Sequence, residues 1–169
     1  MARSGASQVV TPNFGALLRT LDAGAVEFIL VGGLAAAAHG AARATYDVDV
    51  LYRRTSENVA RLVTSLAPLK PYLRGAPPGL PFTWNVDTIA HGLNFTLTTV
   101  EGDLDLLGEV TYGGTYDALV ADTEFVNAFD IRCRCLSLER LIQVKRAAGR
   151  PKDLEALAEL EAIAEERRR

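Results

Sequence analysis

Asp47 and Asp49, which are separated by one residue, have the spacing in this sequence that best suits two carboxylates acting together at a site. They lie in an alternating stretch, 45–52, that predicts a β-strand. Because side chains two positions apart in a strand share a face, both carboxylates lie together, with Cα atoms roughly 6.6 Å apart. Such a pair can converge on divalent cations, which two-metal phosphoryl-transfer sites hold about 3.5–4 Å apart. The alternative is an exposed strand face with two solvated aspartates.

A third carboxylate is available further along the chain. Asp103 and Asp105 alternate with leucines and share one face of a predicted strand, 103–110. Asp103 is next to a turn and is expected to be solvated, whereas Asp105 lies deeper, where an unpaired carboxylate is costly. Metal binding would account for Asp105; the alternative is a salt bridge on the hairpin face.

The glycine pair Gly32-Gly33 separates an apolar stretch, 26–31, from an alanine-rich stretch, 34–39. This order predicts a buried strand followed by a short helix. Helix N-termini expose free N–H groups and a positive dipole end, and glycine lets a phosphate approach the backbone closely. The pattern predicts a cradle for the β- and γ-phosphates beside Asp47, although a lone Gly-Gly also suits a simple tight turn.

Periodicity and capping residues predict the elements that must position these side chains. The first predicted helix starts at Pro12 and ends at Gly24, and the second spans 34–39. Further helices are predicted over 57–66 with Ser56 as N-cap, near 116–121, and over 138–148 with Ser137 as N-cap. A last helix is predicted from about Lys152, with an apolar stripe of Leu154, Leu157, Leu160 and Ile163. The predicted strands are 26–31, 45–52, a hairpin of 93–100 and 103–110, 124–128 and 131–136, and the proline-rich stretch 68–81 is predicted to be a loop.

This order of elements favours an α+β (mixed α/β) fold, in which a core sheet is flanked by helices and followed by a C-terminal helical pair. Residues 1–11 are expected to be disordered. Residues 12–136 are expected to form the core, and 137–169 the helices packed on it. We see no internal repeat and no second domain.

The composition is that of an ordinary globular chain of 169 residues, with a net charge of −3 and a pI of about 5.4. A nucleic-acid interface is therefore not indicated by charge alone. The sequence shows no signal-peptide pattern and no apolar run that suits a membrane span, so we expect a cytoplasmic protein with no membrane partner. Cys133 and Cys135 are expected to be buried thiols, and His39 a packing or capping residue.

The combination of a Gly-Gly, a short helix, an Asp-x-Asp strand and a later Asp on another strand resembles the nucleotidyltransferase superfamily that includes DNA polymerase β. The stretch Gly32-Gly33-x-Ala35…His39-Gly40-x-x-Arg43-x-Thr45-x-Asp47-x-Asp49 resembles more closely the AbiEii/AbiGii abortive-infection toxins and related small bacterial nucleotidyltransferases. That group completes its site with a Lys on a C-terminal helix and a following Asp motif, which Lys145 and Asp153 match.

The chain also departs from that group. The group's last motif often reads Asp-x-x-Asp, whereas the second position here is Ala156. Many superfamily members have Ser after the first glycine, whereas this chain has Gly33. The group's toxins are usually longer. The resemblance covers roughly residues 26–160.

The resemblance implies in-line attack of an acceptor hydroxyl or phosphate on the α-phosphorus of an NTP such as ATP, with release of pyrophosphate. It implies that two Mg²⁺ ions, which Mn²⁺ can replace, are bound by Asp47, Asp49 and Asp105. The implied catalytic set is these three aspartates together with Lys145. Asp105 would serve the metal that activates the acceptor and would take the acceptor's proton.

The resemblance also implies a set of nucleotide-binding residues: Gly32, Gly33, Arg43, Thr45, Lys145 and Asp153. Each has a plainer alternative. Arg43 suits a surface salt bridge equally well, and Lys145 is a favourable cation at a helix C-terminus. Asp153 either orients Lys145 or is simply a favourable first-turn residue.

Three functions compete. The first is a toxin-like transferase that modifies tRNA ends or a protein and is controlled by an antitoxin. The second is a small antibiotic nucleotidyltransferase, which resembles the lincosamide and aminoglycoside enzymes and suits the acidic pI. The third is a non-catalytic module that binds a nucleotide or a partner, to which Ala156 lends weight.

Overall fold

The computed structural model describes residues 12–169, so the predicted disordered segment, 1–11, lies outside the described residues. The helices are α1 (Phe14–Ala23), α2 (Gly32–Ala38), α3 (Ser56–Leu66), α4 (Val86–His91), α5 (Tyr116–Leu119), α6 (Leu138–Ala148) and α7 (Pro151–Arg167). The strands are β1 (Phe28–Val31), β2 (Asp47–Tyr52), β3 (Tyr72–Leu73), β4 (Phe95–Thr99), β5 (Gly102–Leu107), β6 (Glu109–Val110), β7 (Gly114–Thr115), β8 (Thr123–Ala128) and β9 (Ile131–Leu136).

Seven strands form one mixed sheet in the order β3-β4-β5-β2-β1-β9-β8, and β6 pairs with β7 separately. Strand β2 lies at the centre, antiparallel to β1 and parallel to β5. The predicted mixed α/β fold, with a core sheet flanked by helices, is confirmed. Helices α6 and α7 pack against each other at the end of the chain. The division into a core at 12–136 and an appended pair at 137–169 stays a prediction.

The alternation on the two central strands separates an apolar face from a polar face. Val48 and Val50 of β2 and Leu104 and Leu106 of β5 are fully buried. The aspartates between them are half-buried. The buried residues join a core that includes three leucines of α1 and two of α3. The core therefore fixes the register that holds the aspartates on one open face.

Capping residues set the helix boundaries. Asn13 caps α1, because its Oδ1 accepts a hydrogen bond from the Ala16 amide at 2.9 Å. Ser137 caps α6 as predicted, and Gly149 ends that helix in the left-handed region. The predicted cap Ser56 is wrong. Thr55 caps α3 with its side chain, and the helix begins one residue earlier than expected.

Two further predictions need correction, and one helix was missed. The stretch 68–81 is not all loop, because β3 pairs antiparallel with β4. Helix α4 was not predicted. Leu154 is 51% exposed, because it lies in the first turn of α7, where Asp153 is the buried side chain instead. Among residues 12–169, no helix is both long and apolar enough to cross a bilayer.

Candidate active site

Three carboxylates meet on the open face of the sheet. Asp47 and Asp49 of β2 lie beside Asp105 of β5, and one oxygen of each lies within 4.8 Å of the others. The parallel register places Asp49 directly opposite Asp105 and Asp47 directly opposite Asp103. Like charges directly opposite each other destabilise a sheet, so this arrangement requires positive charge nearby. We call Asp47, Asp49 and Asp105 the carboxylate triad.

The electrostatics of the triad show this shortage of positive charge. The pKa of Asp49 is raised to about 7, mainly by burial and then by the neighbouring carboxylates of Asp47 and Asp105. Burial and the charge of Asp105 also raise the pKa of Asp47. The Gly33 amide lowers the pKa of Asp49, because an N–H donor stabilises the charged carboxylate. A bound cation would favour the ionised form of both aspartates.

The glycine pair lies directly against β2. Gly32 has φ +65°, and a Cβ on it would lie 1.9 Å from Oδ2 of Asp49. A Cβ on Gly33 would lie 2.6 Å from Oγ1 of Thr45. Real atoms do not approach so closely, so both positions require glycine for steric reasons. The close approach brings the first turn of α2 onto the triad.

A cation that the sequence did not single out already lies on the triad. Arg74 follows β3, and its Nη2 is 2.8 Å from Oδ1 of Asp105. Its Nη1 is 3.6 Å from Oδ2 of Asp47, and its Nε is 3.3 Å from Oδ2 of Asp103. The expectation that Asp103 is merely solvated is therefore wrong. The salt bridge that was the alternative for Asp105 is present in this structure. Asp105 also lies close to Asp47 and Asp49.

The triad opens into a cleft of about 770 Å³. Gly32 and Gly33 line this cleft, and so do three side chains near the junction of α6 and α7: Lys145, Arg150 and Asp153. The cleft is therefore acidic at the sheet and basic near the α6–α7 junction, where Lys152 also lines it. Ala156, at the position where the resembled group often has a second aspartate, also lines the cleft.

Asp153 holds Lys145 and Arg150 together. Its side chain is 1% exposed, and it accepts from Nζ of Lys145 at 3.4 Å and from Nε of Arg150 at 2.6 Å. The hydrogen bond from Arg150 lowers the pKa of Asp153, and the charge of Lys145 adds to that effect. Lys145 is therefore oriented by Asp153, while the neighbouring Arg146 points outward to Glu161.

The other two predicted nucleotide-binding residues have partners within the protein. Arg43 lines the cleft, but its guanidinium pairs with Glu155 and Glu159 of α7. Thr45 donates its hydroxyl proton to the backbone oxygen of Asp47 at 3.0 Å. The structure thus places Arg43 at the rim of the cleft and uses the Thr45 hydroxyl to hold the start of β2.

His39, Cys133 and Cys135 lie in the core. Nε2 of His39 is 2.8 Å from the Leu136 carbonyl oxygen, and its side chain is nearly inaccessible. Burial raises the pKa of Cys133 to about 11 and that of Cys135 to about 12. Both cysteines are therefore neutral thiols at ordinary pH, as expected for packing residues.

The chemistry of the triad fits a hard divalent cation. All three donors are carboxylate oxygens, which suit Mg²⁺ or Mn²⁺ and do not suit soft metals. Because Gly32 has no side chain, the Asp49 carboxylate can lie directly against the backbone at that position. Within residues 12–169, no other cluster of three or more acidic, His or Cys side chains has this convergent geometry.

The solved structures that resemble this architecture are named as nucleotidyltransferases or as similar to them. A lincosamide antibiotic adenylyltransferase, LnuA, solved with lincomycin bound, superposes with a TM-score of 0.60 at 17% identity, covering 89% of this chain and 95% of that one. A proposed nucleotidyltransferase from Thermotoga maritima gives 0.56 at 17% identity, covering 92% and 96%. The fold is that of nucleotidyltransferases.

A third structure has the same nucleotidyltransferase fold. It is an antigenic nucleotidyltransferase-like protein from Paracoccidioides brasiliensis, with a TM-score of 0.52 at 16% identity, covering 86% of this chain and 72% of that one. No known sequence family and no curated protein matches the chain. The nucleotidyltransferase fold is thus established by shape, and the chemistry of this chain is argued from its own residues.

Proposed function

We propose that this chain transfers a nucleotidyl group from an NTP such as ATP to an acceptor, with release of pyrophosphate. The observation that carries the proposal is the shared cleft. The carboxylate triad lines one part of it, and Lys145 and Arg150 line another. A nucleoside triphosphate bound with divalent cations needs both: carboxylates for the cations and basic side chains for phosphate oxygens.

The triad would hold the divalent cations, two Mg²⁺ ions or Mn²⁺ in their place. When bound there, the metal supplies positive charge to the phosphates and to the attacking oxygen of the acceptor. Gly32 and Gly33 carry no side chain, so the terminal phosphates would approach their backbone closely. Thr45 would hold the start of β2 through its hydrogen bond to Asp47, so that the carboxylates keep their spacing.

The acceptor would approach from the Asp105 side. Its oxygen forms a bond to the α-phosphorus as the bond from that phosphorus to the bridging oxygen of pyrophosphate breaks. Asp105 would accept the acceptor's proton, which then passes to solvent. Lys145, oriented by Asp153, would meet the charge that develops on the departing pyrophosphate. Arg43 would reach the nucleotide only after leaving its glutamate partners.

For the acceptor we favour an RNA end or a protein hydroxyl, as in a toxin controlled by an antitoxin. The support comes from the basic side chains that line the cleft at the α6–α7 junction, Lys145, Arg150 and Lys152, because such a cluster suits a phosphate backbone. A small antibiotic is the second candidate. Its support is the superposition on the lincosamide adenylyltransferase, which extends over nearly all of that enzyme.

Incubation with each α-³²P-labelled NTP and Mg²⁺ tests the proposal. Total cellular RNA, total protein, a lincosamide and an aminoglycoside are offered in separate reactions. We expect label to enter one acceptor class with the intact protein and to be reduced at least 10³-fold by Asp49→Asn or Asp105→Asn. Asp87→Asn, which changes an exposed carboxylate in α4, should transfer label at the normal rate.

The outcomes separate the candidates. Label in RNA or protein supports the toxin-like activity, and label in an antibiotic supports the second candidate. NTP binding without transfer to any acceptor would overturn the catalytic proposal in favour of a nucleotide-binding module. Transfer that survives Asp105→Asn would remove Asp105 from the proposed proton-accepting role.

A further inference from the structure

Arg74 lies across the open face of three neighbouring strands. Its guanidinium contacts Asp105 and Asp103 of β5 and reaches Asp47 of β2. A cation bound by the triad would share two of these three carboxylates. The guanidinium and a divalent cation therefore compete for the same oxygens, at least in part.

Arg74 is held in place by groups that do not belong to the triad. Its backbone amide donates to the Thr96 carbonyl at 3.0 Å. Its Nε and Nη2 donate to the Leu97 carbonyl at 3.2 and 2.8 Å. Asp103 and the Leu97 carbonyl would still accept hydrogen bonds from the guanidinium after it had lost its contacts with Asp47 and Asp105. The side chain is only 27% exposed, so such partners matter for keeping a charge there.

We propose that Arg74 is a tethered counter-ion that neutralises the triad in the absence of metal and gives way to a divalent cation, settling on Leu97 and Asp103. This inference rests on the proposed metal site. In this role Arg74 is a positioning residue. It offsets the repulsion between Asp47 and Asp105 in the metal-free protein, and it lowers the affinity of the triad for a divalent cation.

The two effects of Arg74 have opposite signs, which makes the inference testable without knowing the acceptor. Removing its charge leaves like charges facing each other across β2 and β5, so the metal-free protein should become less stable. The same removal takes away a competing positive charge, so divalent cations should bind more tightly. If Arg74 only stabilised the stretch after β3, its substitution would lower stability without raising metal affinity.

The test is a calorimetric titration of the full-length protein with Mn²⁺ alone, without nucleotide. We expect Arg74→Gln to bind Mn²⁺ at least tenfold more tightly than the unaltered protein. Its metal-free Tm should be lower, and the rise in Tm on adding Mn²⁺ should be larger. Arg74→Lys, which keeps the charge but cannot reproduce the forked contacts, should bind with an affinity between the two.

Two control variants fix the site of binding. Arg54→Gln removes another arginine that donates to backbone carbonyls, those of Ala90 and Gly92, and should leave Mn²⁺ affinity unchanged. Asp49→Asn should weaken Mn²⁺ binding by at least tenfold with or without Arg74. This pair separates an effect at the triad from a general effect of lost positive charge.

Equal or weaker Mn²⁺ binding by both Arg74→Gln and Arg74→Lys would overturn the inference and leave the metal site standing. If the unaltered protein and Arg74→Gln both fail to bind Mn²⁺ at millimolar concentrations, the proposed metal site and this inference both fall. If Arg74→Gln does not fold, the Lys variant decides alone: binding tighter than that of the unaltered protein supports the inference.

Discussion

Asp49 and Asp105 lie directly opposite each other on two adjacent parallel strands, β2 and β5. Two carboxylates in this position are unfavourable, because the side chains of such a pair are close enough to repel each other. Here the next pair in register, Asp47 and Asp103, is acidic as well. The protein therefore accepts an unfavourable arrangement in its sheet, which is expected where a binding site takes precedence over stability.

This relationship predicts that Asp49→Asn stabilises the metal-free protein above neutral pH. The pKa of Asp49 is about 7 in the folded protein and close to its ordinary value, 3.8, when unfolded. Between these values the folded state binds more protons, so stability falls as pH rises from about 4 to 7. We expect the Asn variant to avoid this loss and to be roughly 1–2 kcal/mol more stable at pH 8, with Tm higher by several degrees.

Urea unfolding in the presence of a chelator, at pH 5 and at pH 8, measures this difference. Asp87→Asn is the control, because Asp87 is exposed on α4 and should leave the pH dependence of stability unchanged. Adding Mn²⁺ at pH 8 should stabilise the unaltered protein and stabilise Asp49→Asn much less. A variant less stable than the unaltered protein at pH 8 would contradict the electrostatic account.

Gly32→Ala should unfold more easily and lose divalent-cation binding. An added methyl group meets Asp49 at 1.9 Å, and the positive φ adds backbone strain. Gly79→Ala is a matched control, since Gly79 has φ +91° but no atom within 4 Å of the added methyl. We expect a cost of about 1 kcal/mol at Gly79 and of at least 2–3 kcal/mol at Gly32. Equal costs in chemical denaturation would show that backbone strain, and not the contact with Asp49, requires glycine at Gly32.

Much of the site depends on local patterns, and that part could be predicted. The alternation around Asp47 and Asp49 places both carboxylates on one face wherever the strand lies in the fold. The hydroxyl of Ser137 and the left-handed Gly149 likewise define α6 from its own residues. These features are determined by residues close together in the sequence, so they can be predicted from the sequence alone.

The rest depends on contacts between distant parts of the chain. The register that sets Asp105 against Asp49 joins strands 56 positions apart, and no local pattern encodes it. Arg74 follows a strand of two residues within a proline-rich stretch, so nothing nearby marks its contact with the triad. Helix α4 did carry a signal: Asn85 caps it and Gly92 follows its last residue, but its six residues are too few for a clear apolar period.

Lys145→Gln should weaken NTP binding at least tenfold, while Arg150 remains as a partner of the Asp153 carboxylate. Lys145 lines the cleft, whereas Arg146 beside it is exposed and pairs with Glu161. Arg146→Gln is therefore the matched control for loss of one positive charge from α6. Binding of a fluorescent NTP analogue in the presence of Mg²⁺ measures both variants. Equal losses in the two variants would indicate a general charge effect and would remove Lys145 from the proposed phosphate contact.

Asp153→Asn should destabilise the protein while leaving the triad intact. Asp153 is almost fully buried, and the amide would replace a carboxylate that accepts from both Lys145 and Arg150. Breaking a buried ion pair on one side costs about 3 kcal/mol when the remaining charge cannot reach water. Arg150 is 61% exposed and can be solvated, so we expect a smaller cost, about 2 kcal/mol at pH 7.

The pH dependence identifies the cause of that cost. Because Arg150 lowers the pKa of Asp153 in the folded state, the carboxylate stabilises the protein above its unfolded pKa of 3.8. That contribution is lost as pH falls below 3.8 towards the folded value. The difference in unfolding free energy between the two proteins should thus be constant from pH 7 to 5 and shrink below pH 4. Glu161→Gln, which removes an exposed partner of Arg146, should change stability by less than about 0.5 kcal/mol throughout. A difference that persists undiminished at pH 3 would assign the role of Asp153 to packing in the first turn of α7 instead of to its charge.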